Sequence, residues 1–432
     1  MSEKAALKRA TYHLYTFTIS KLISTFGSSV YTFGISLYVL ALTGSAASFA
    51  INLICSILPR TLMAPFAGYV ADNYSKKAIV IVAQFASALS VAGLLLYSIV
   101  AGLSLPAIYT TTALISISSM FASVTFSSSI ANLIDSERIQ KAMGFNQSAI
   151  AIATIGGPVV GGILFGFVSM NVFLVIQVSA YLLAVALEST MDFKLFTNRV
   201  ADTAGEAKKS MVAGMKEGFA YLRSNRVVMV IVTVAVGVNF FFSALMIGLP
   251  FIAVQELKIE ATHFGFIEAM IAAGMLASSV YFSIRKEVKF PLQFAKRGIL
   301  GMSVLLAGMA LPLIFDFTYT AAVVYFLFLM LVFGITNVFV NTPIGVMMQK
   351  DVEEEYRGRV FGILESMAMA MMPLGYLLFG LLYDVMPAEY VVIGSSICLI
   401  ILTSYLMRPS ILKQAHPELD KKAFPISPEL QE

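Results

Sequence analysis

An all-α membrane protein, with twelve transmembrane helices in two pseudo-symmetric six-helix bundles, is the fold this sequence predicts. Three observations lead there. Of 432 residues, 58% are hydrophobic and only 12% charged, whereas soluble domains carry about 25% charged residues. Apolar runs of about 20 residues, the length that crosses a bilayer as helix, recur along most of the chain. The polar breaks between them alternate between turns with and without basic residues, as successive loops on opposite sides of a membrane do.

Taken in order, the first six spans fall near residues 14–41, 47–70, 78–101, 106–131, 143–168 and 170–190. The opening MSEKAALKRA is basic, but the run after it is too long for a signal-peptide core and lacks a small-residue cleavage site, so the first span is retained. The second six fall near 227–253, 262–284, 297–315, 318–349, 359–383 and 389–407. Four parts result: an N-terminal half (1–190), a cytoplasmic linker (191–226), a C-terminal half (227–407) and a cytoplasmic tail (408–432). In the linker, Met211, Met215, Phe219 and Leu222 recur at helical spacing with Lys216, Arg223 and Arg226 elsewhere on the turn. That pattern reads as an amphipathic helix along the membrane surface; a solvated connector is the alternative.

Charge orients the chain. The turns LTGSAA, GLSLP and VSMN carry no Lys or Arg, while Lys76, Lys77, Arg138, Lys141, the linker, Arg285, Lys286, Lys289, Lys350, Arg357 and Arg359 occupy the even turns. Basic loops stay inside, so both termini are expected in the cytoplasm of a cell whose plasma membrane the protein spans many times. The net charge of +4 is an orientation signal and gives no support to a nucleic-acid partner.

The halves echo each other. A shift of 218 residues carries Glu137 onto Glu355, Gly144 onto Gly362, Ser148 onto Ser366, Gly157 onto Gly375 and Gly162 onto Gly380. Parallel repeats of this length occur in one large class of transporters.

The stretch GYVADNYSKK joins the second and third spans, with Gly68, Asp72, Lys76 and Lys77 in the spacing G-x-x-x-D-x-x-x-[RK]-[RK]. Over essentially the whole chain the sequence resembles the major facilitator superfamily, whose best-known signature this is. Asn73 and Ser75 replace the usual basic residue and glycine. The segments FGSSVYTFGISLYVLALTGSA, LPRTLMAPFAGYVAD and EEYRGRVFGILE resemble the proton-coupled drug exporter branch, which includes macrolide efflux proteins and enterobactin exporters. The resemblance implies that Asp72 latches the cytoplasmic side closed. Read from the residues alone, Gly68 lets a helix approach closely, Asp72 can accept donors from a facing helix N-terminus, and Lys76 and Lys77 fix topology.

GGPVVGG in the fifth span puts Gly157 and Gly161 on one small-residue face, with Pro158 removing a backbone hydrogen bond. It resembles the Gly-Pro motif that superfamily antiporters carry there; generic helix packing is the alternative. Four ionisable groups lie within spans: Lys21, Arg60, Glu268 and Glu365. Such groups usually face a cavity or a partner. Glu365 and Glu268 are the proton-coupling candidates, Arg60 is expected deep and in need of an acceptor, and no carboxylate is expected deep in the first six spans. Were the second and eleventh helices to face each other across the halves, as in the superfamily, Arg60 and Glu365 would be within reach of pairing. Asn52, Asn239, Asn337 and Asn341 are cavity candidates, with interhelical hydrogen bonding as the other use of each.

No cofactor and no metal site are expected: Cys55 and Cys398 have no ligand-spaced neighbours, and His13, His263 and His416 are scattered. Enzyme motifs such as GxxxxGK[ST], GxSxG and HExxH do not occur, so the chain is not expected to be an enzyme. The expected function is secondary-active export of an amphiphilic, apolar or cationic drug-like compound by a monomer, through alternating access with proton antiport. Export of a siderophore, lipid or other metabolite, or a non-transporting receptor or scaffold, is the alternative.

Overall fold

The computed structural model describes residues 3–135, 138–193, 195, 211–416 and 418. Among these there is helix and turn but no strand. Twelve helices are long and apolar enough to cross a membrane. Their outward faces carry large apolar side chains such as Val100 (86% exposed) and Ile284 (82%). Water would penalise such surfaces and lipid does not.

The first six helices are α1 (Glu3–Thr43), α2 (Ala46–Asn73), α3 (Lys76–Ala101), α4 (Leu105–Leu133), α5 (Ile139–Phe167) and α6 (Met170–Ser189). Then come α7 (Met211–Ser224), α8 (Arg226–Pro250) with a π-helical turn at Phe251–Glu256, and α9 (Ala261–Ile284). The chain continues through α10 (Pro291–Gly308), α11 (Leu311–Ile314), α12 (Tyr319–Asp351), α13 (Glu354–Val385), α14 (Ala388–Leu406) and α15 (Pro409–Ala415). Short polar residues start several of them. Ser45 Oγ accepts from the Ser48 N–H at 3.1 Å, and Asn225 Oδ1 accepts from the Val227 and Val228 N–H groups at 3.1 and 3.2 Å, satisfying donors a helix start leaves free. Gly102, at φ 77°, ends α3 in a conformation that side-chain-bearing residues rarely adopt.

Two compact units form. Unit 1 is Met1–Ala207 with Ala253–Ala269, and unit 2 is Lys208–Ile252 with Met270–Glu432. Residues 253–269 lie beyond the half boundary expected at 227, yet they pack with the first six helices. Gln255 Nε2 donates to the Leu40 carbonyl at 2.8 Å, Phe264 stacks on Phe33 at 5.7 Å, and Gly265 meets the backbone of Pro158.

Within unit 1, α1 packs on α5 and α6, α2 on α4, and α3 on α4 and α6. Unit 2 repeats this pattern on its own helices. There α8 packs on α13 and α14, α10 packs on α12 and α14, and α9 meets α12 where Gly274 and Gly334 bring the two backbones together. Small residues at such crossings let membrane helices gain dispersion contacts that lipid would otherwise supply.

The linker helix α7 docks on the start of α13. Gly218 lies against Arg359 and Ile363, Tyr221 stacks on Tyr356 at 4.8 Å, and Arg359 Nη1 donates to Glu217 Oε2 at 2.7 Å. Of the expected apolar face, Leu222 is buried while Phe219 is exposed. The side chains of Met211, Met215 and Lys216 lie outside the described residues, as do the linker residues 194 and 196–210. In the tail, α15 buries Ile411 and Leu412; residues 417 and 419–432 lie outside the described residues.

Candidate functional site

Unit 2 contains a cavity of about 350 Å³ between α8, α10, α12 and α13. It is lined by Asn239, Asn337 and Asn341 and by apolar side chains that include Phe242, Met302 and Met348, and among the described residues no charged one contributes to its wall. Asn239 of α8 and the Asn337–Asn341 pair of α12 thus share one chamber. Asn239 Nδ2 donates to the Ala235 carbonyl at 2.9 Å, one turn back on its own helix. Asn341 Nδ2 donates to Asn337 at both the carbonyl (3.0 Å) and Oδ1 (3.1 Å), so this amide pair is tied along one face of α12. Apolar walls with a few placed polar groups, at this size, suit a small organic molecule.

Asn52 is elsewhere. In the buried centre of unit 1 its Nδ2 donates to Ser36 Oγ at 2.9 Å and its Oδ1 accepts from Thr112 Oγ1 at 3.0 Å. One amide therefore joins α1, α2 and α4, hydrogen-bonded through both its nitrogen and its oxygen.

The turn between α2 and α3 is tied within unit 1. Lys76 and Lys77 start α3, the positive end of a helix and so an unfavourable place for cations. Their ammonium groups reach away, Lys76 Nζ to the Ser128 carbonyl at 2.7 Å and Lys77 Nζ to the Ser189 carbonyl at 2.6 Å. Ser189 ends α6, where carbonyls lack helical partners. A Cβ at Gly68 would meet nothing within 4 Å, so the close helix approach expected there is absent among the described residues. Asp72 lies in the last turn of α2, and its side chain is outside the described residues.

Gly157, Pro158 and Gly161 are buried on α5. Gly157 abuts Ser29, and a Cβ at Gly161 would come within 2.9 Å of Phe33 and 3.2 Å of the Val30 carbonyl, so both glycines seat α5 on α1. Pro158 and Gly162 instead meet Gly265 and Ala261 at the start of α9.

The intramembrane charges separate. Lys21 is buried (7% exposed), and its Nζ donates to Ser123 Oγ at 3.2 Å. Arg60, expected deep and paired, is exposed with no hydrogen-bond or ion-pair partner among the described residues. It stands midway along α2 (Ala46–Asn73). Glu365, on α13 in unit 2, is exposed; Glu268, on α9 in unit 1, is half-buried and has no bonded partner among the described residues.

Glu188, at the end of the sixth span, was not among the expected ionisable groups. This residue is fully buried, with Oε1 accepting from Ser20 Oγ at 2.6 Å and Gln84 Nε2 at 3.2 Å. It sits one residue from the end of α6, where a glutamate reads as a water-facing helix end. The available signal was Ser20–Lys21, two adjacent polar residues inside the first span.

The family model of the Major Facilitator Superfamily matches residues 17–376. The chain belongs to the Major Facilitator Superfamily. It is therefore a transporter with twelve membrane spans rather than an enzyme. Among superfamily members it is similar to macrolide efflux protein A of Streptococcus pyogenes, at 22% identity over 372 residues covering 86% of this chain and 89% of that protein. The macrolide efflux protein A of Enterococcus faecalis is 23% identical over 336 residues, covering 77% of this chain and 99% of that protein. In structure it resembles the nucleoside transporter NupG, with a TM-score of 0.67 at 16% identity, over 93% of this chain and 99% of that one. That likeness concerns the superfamily fold alone.

Proposed function

We propose that this superfamily member exports an apolar or cationic amphiphile from the cell by alternating access, as a monomer in the plasma membrane, with proton antiport as its energy source. The observation that carries this reading is the wall of the unit 2 cavity, apolar and methionine-containing, with three asparagine amides and no charge. A polar solute such as a sugar or organic anion would lose its hydration there without enough replacement hydrogen bonds, whereas an amphiphile gains burial and keeps a few polar contacts. Similarity to relatives named for macrolide efflux points the same way. The basic even-numbered turns support cytoplasmic termini.

Proton antiport needs a carboxylate that gains and loses a proton during the cycle. Glu268 and Glu365 are the candidates on α9 and α13, and Glu268, half-buried and without a bonded partner among the described residues, is the better placed. Asp72 is the proposed cytoplasmic latch, and Gly157, Pro158 and Gly161 the pliant seat of α5.

The test is an accumulation panel of chemically diverse drugs in cells with and without the protein, repeated with a protonophore. Reduced accumulation of some amphiphiles, restored by the protonophore, is expected. Unchanged accumulation of every compound would sink drug export, and extrusion that survives gradient collapse would sink proton coupling. Replacing Glu268 or Glu365 with Gln is expected to abolish gradient-driven transport at the coupling site while leaving downhill exchange intact.

A further inference from the structure

Among the described residues unit 1 holds two separate apolar clusters, and α1, α3 and α4, which contribute to both, supply what lies between them together with the end of α6. Along α1 come Leu14 and Phe17, then Ser20 and Lys21, then Val30 and Tyr31; along α3 come Val80, then Gln84 and Ser87, then Val91. In the opposite sense, α4 runs from Ile115 through Ser123 and Thr125 to Phe126, and the chain runs from Tyr181 through Glu188 on α6 to Met191 just past its end. A polar layer thus crosses the bundle between two dry compartments. Ser20, Gln84, Thr125 and Glu188 are all at most 3% exposed.

The layer is incompletely bonded. Glu188 Oε1 accepts two hydrogen bonds, from Ser20 and Gln84, while Oε2 has none among the described residues. Lys21, whose charge acts on Glu188, gives its hydrogen bond to Ser123 instead. A charged carboxylate and an ammonium enclosed by hydrocarbon each cost several kcal/mol unless they meet. One saturated oxygen, one bare oxygen and an ammonium held on a different partner is the arrangement of an acid carrying its proton on the bare oxygen.

We propose that Glu188 is a proton-binding site of the first half, taking up a proton on Oε2 and exchanging it for the ammonium of Lys21. On uptake, an O–H bond forms at Oε2 with a proton from water, and Lys21 stays on Ser123. On release that bond breaks, its electron pair stays on Oε2, the proton returns to water, and Lys21 crosses to the carboxylate. Charged neighbours are few. Among the described residues Lys21 on α1 acts on Glu188 directly and Arg60 on α2 acts on Lys21, while α3 meets the carboxylate with the neutral Gln84. The inference rests on the proton-coupling reading above and adds a carboxyl group to Glu268 and Glu365.

Infrared difference spectra of the purified protein between acidic and alkaline buffer probe the proton itself. Wild type is expected to show the carbonyl stretch of a protonated carboxylic acid that titrates. Glu188→Gln should lose that band, and Glu188→Asp should keep one at a displaced frequency. A band unchanged in Glu188→Gln overturns the proposal, and so does loss of the band from Glu188→Asp when that variant unfolds thermally as wild type does. In cells, Glu188→Gln should lose protonophore-sensitive extrusion of the compound that wild type extrudes in the panel; intact extrusion also overturns it. Protonophore-insensitive extrusion by wild type would refute proton coupling on wild type alone, while the infrared titration reads Glu188 separately.

Discussion

Gly375 on α13 abuts Ser243 on α8 so closely that a Cβ on the glycine would stand 2.5 Å from the serine Oγ. Gly157 and Ser29 repeat the relationship where α5 crosses α1 in unit 1. Two glycines 218 residues apart thus each seat their helix on a serine of the first helix of their half, which gives the internal repeat of the sequence a packing meaning. Gly375→Ala is expected to lower stability by about 1–3 kcal/mol, the usual cost of overpacking. Adding Ser243→Gly should recover part of it, the Phe240 carbonyl at 3.0 Å still being in the way. Thermal unfolding of the detergent-solubilised single and double variants measures both effects, and full additivity would show that the two residues do not meet.

Replacing Asn239, Asn337 or Asn341 by Leu removes an amide from the unit 2 cavity without adding charge. Each change is expected to leave the protein folded and to alter which amphiphiles it recognises, by about 0.5–1.5 kcal/mol for a lost neutral hydrogen bond. Susceptibility of expressing cells to a drug panel checks it. Unaltered profiles for all three would place recognition outside this chamber.

Docking of α7 should depend more on packing than on charge. The Arg359–Glu217 pair has side chains 26% and 40% exposed, so Arg359→Ala is expected to cost at most about 1 kcal/mol through the ion pair. Leu222 is 1% exposed, and Leu222→Ala is expected to cost about 2–5 kcal/mol locally. Protease susceptibility of the segment around α7 should therefore rise far more in Leu222→Ala.

His416 makes the docking of the C-terminal helix sensitive to acid. Its Nε2 accepts the Leu292 N–H at 3.2 Å, and burial pushes the imidazole below its ordinary pKa, against the opposing charges of Asp351 and Glu418. The undocked imidazole therefore binds a proton more readily, so docking is fully stable above the ordinary histidine range and weakens as pH falls through it. Hydrogen exchange over α15, corrected for its intrinsic pH dependence, is expected to accelerate on acidification in wild type and to lose that acceleration in His416→Gln.

The twelve spans were legible because length and hydropathy are all a bilayer demands of a helix. Their ends were less so, for charged turns read as loop. α10 begins at Pro291 rather than near 297 because Lys296 turns its ammonium to the Met407 carbonyl at 2.8 Å, and α13 begins at Glu354 with two glutamates in its first turn, where the helix dipole favours them. At the site, Asn337 and Asn341 were readable from their spacing on one helix face, but Asn239 joins them only through the packing of α8. Whether an amide such as Asn52 ties helices together or lines a chamber depends on neighbours distant in sequence. Glu188 was hidden for the same reason, since its burial is decided by α1 and α3.

The ties of Lys76 and Lys77 have an order in time. Both lysines are synthesised well before Ser128 and Ser189, whose carbonyls they bond. A nascent chain carrying only the first three spans must leave both ammonium groups to water and lipid headgroups, and the second tie can close only when the sixth span has been made. The turn between α2 and α3 is thus a marker of assembly during biogenesis: a chain arrested before residue 189 lacks the acceptor of Lys77, and only a chain that has completed the sixth span can hold that ammonium in place.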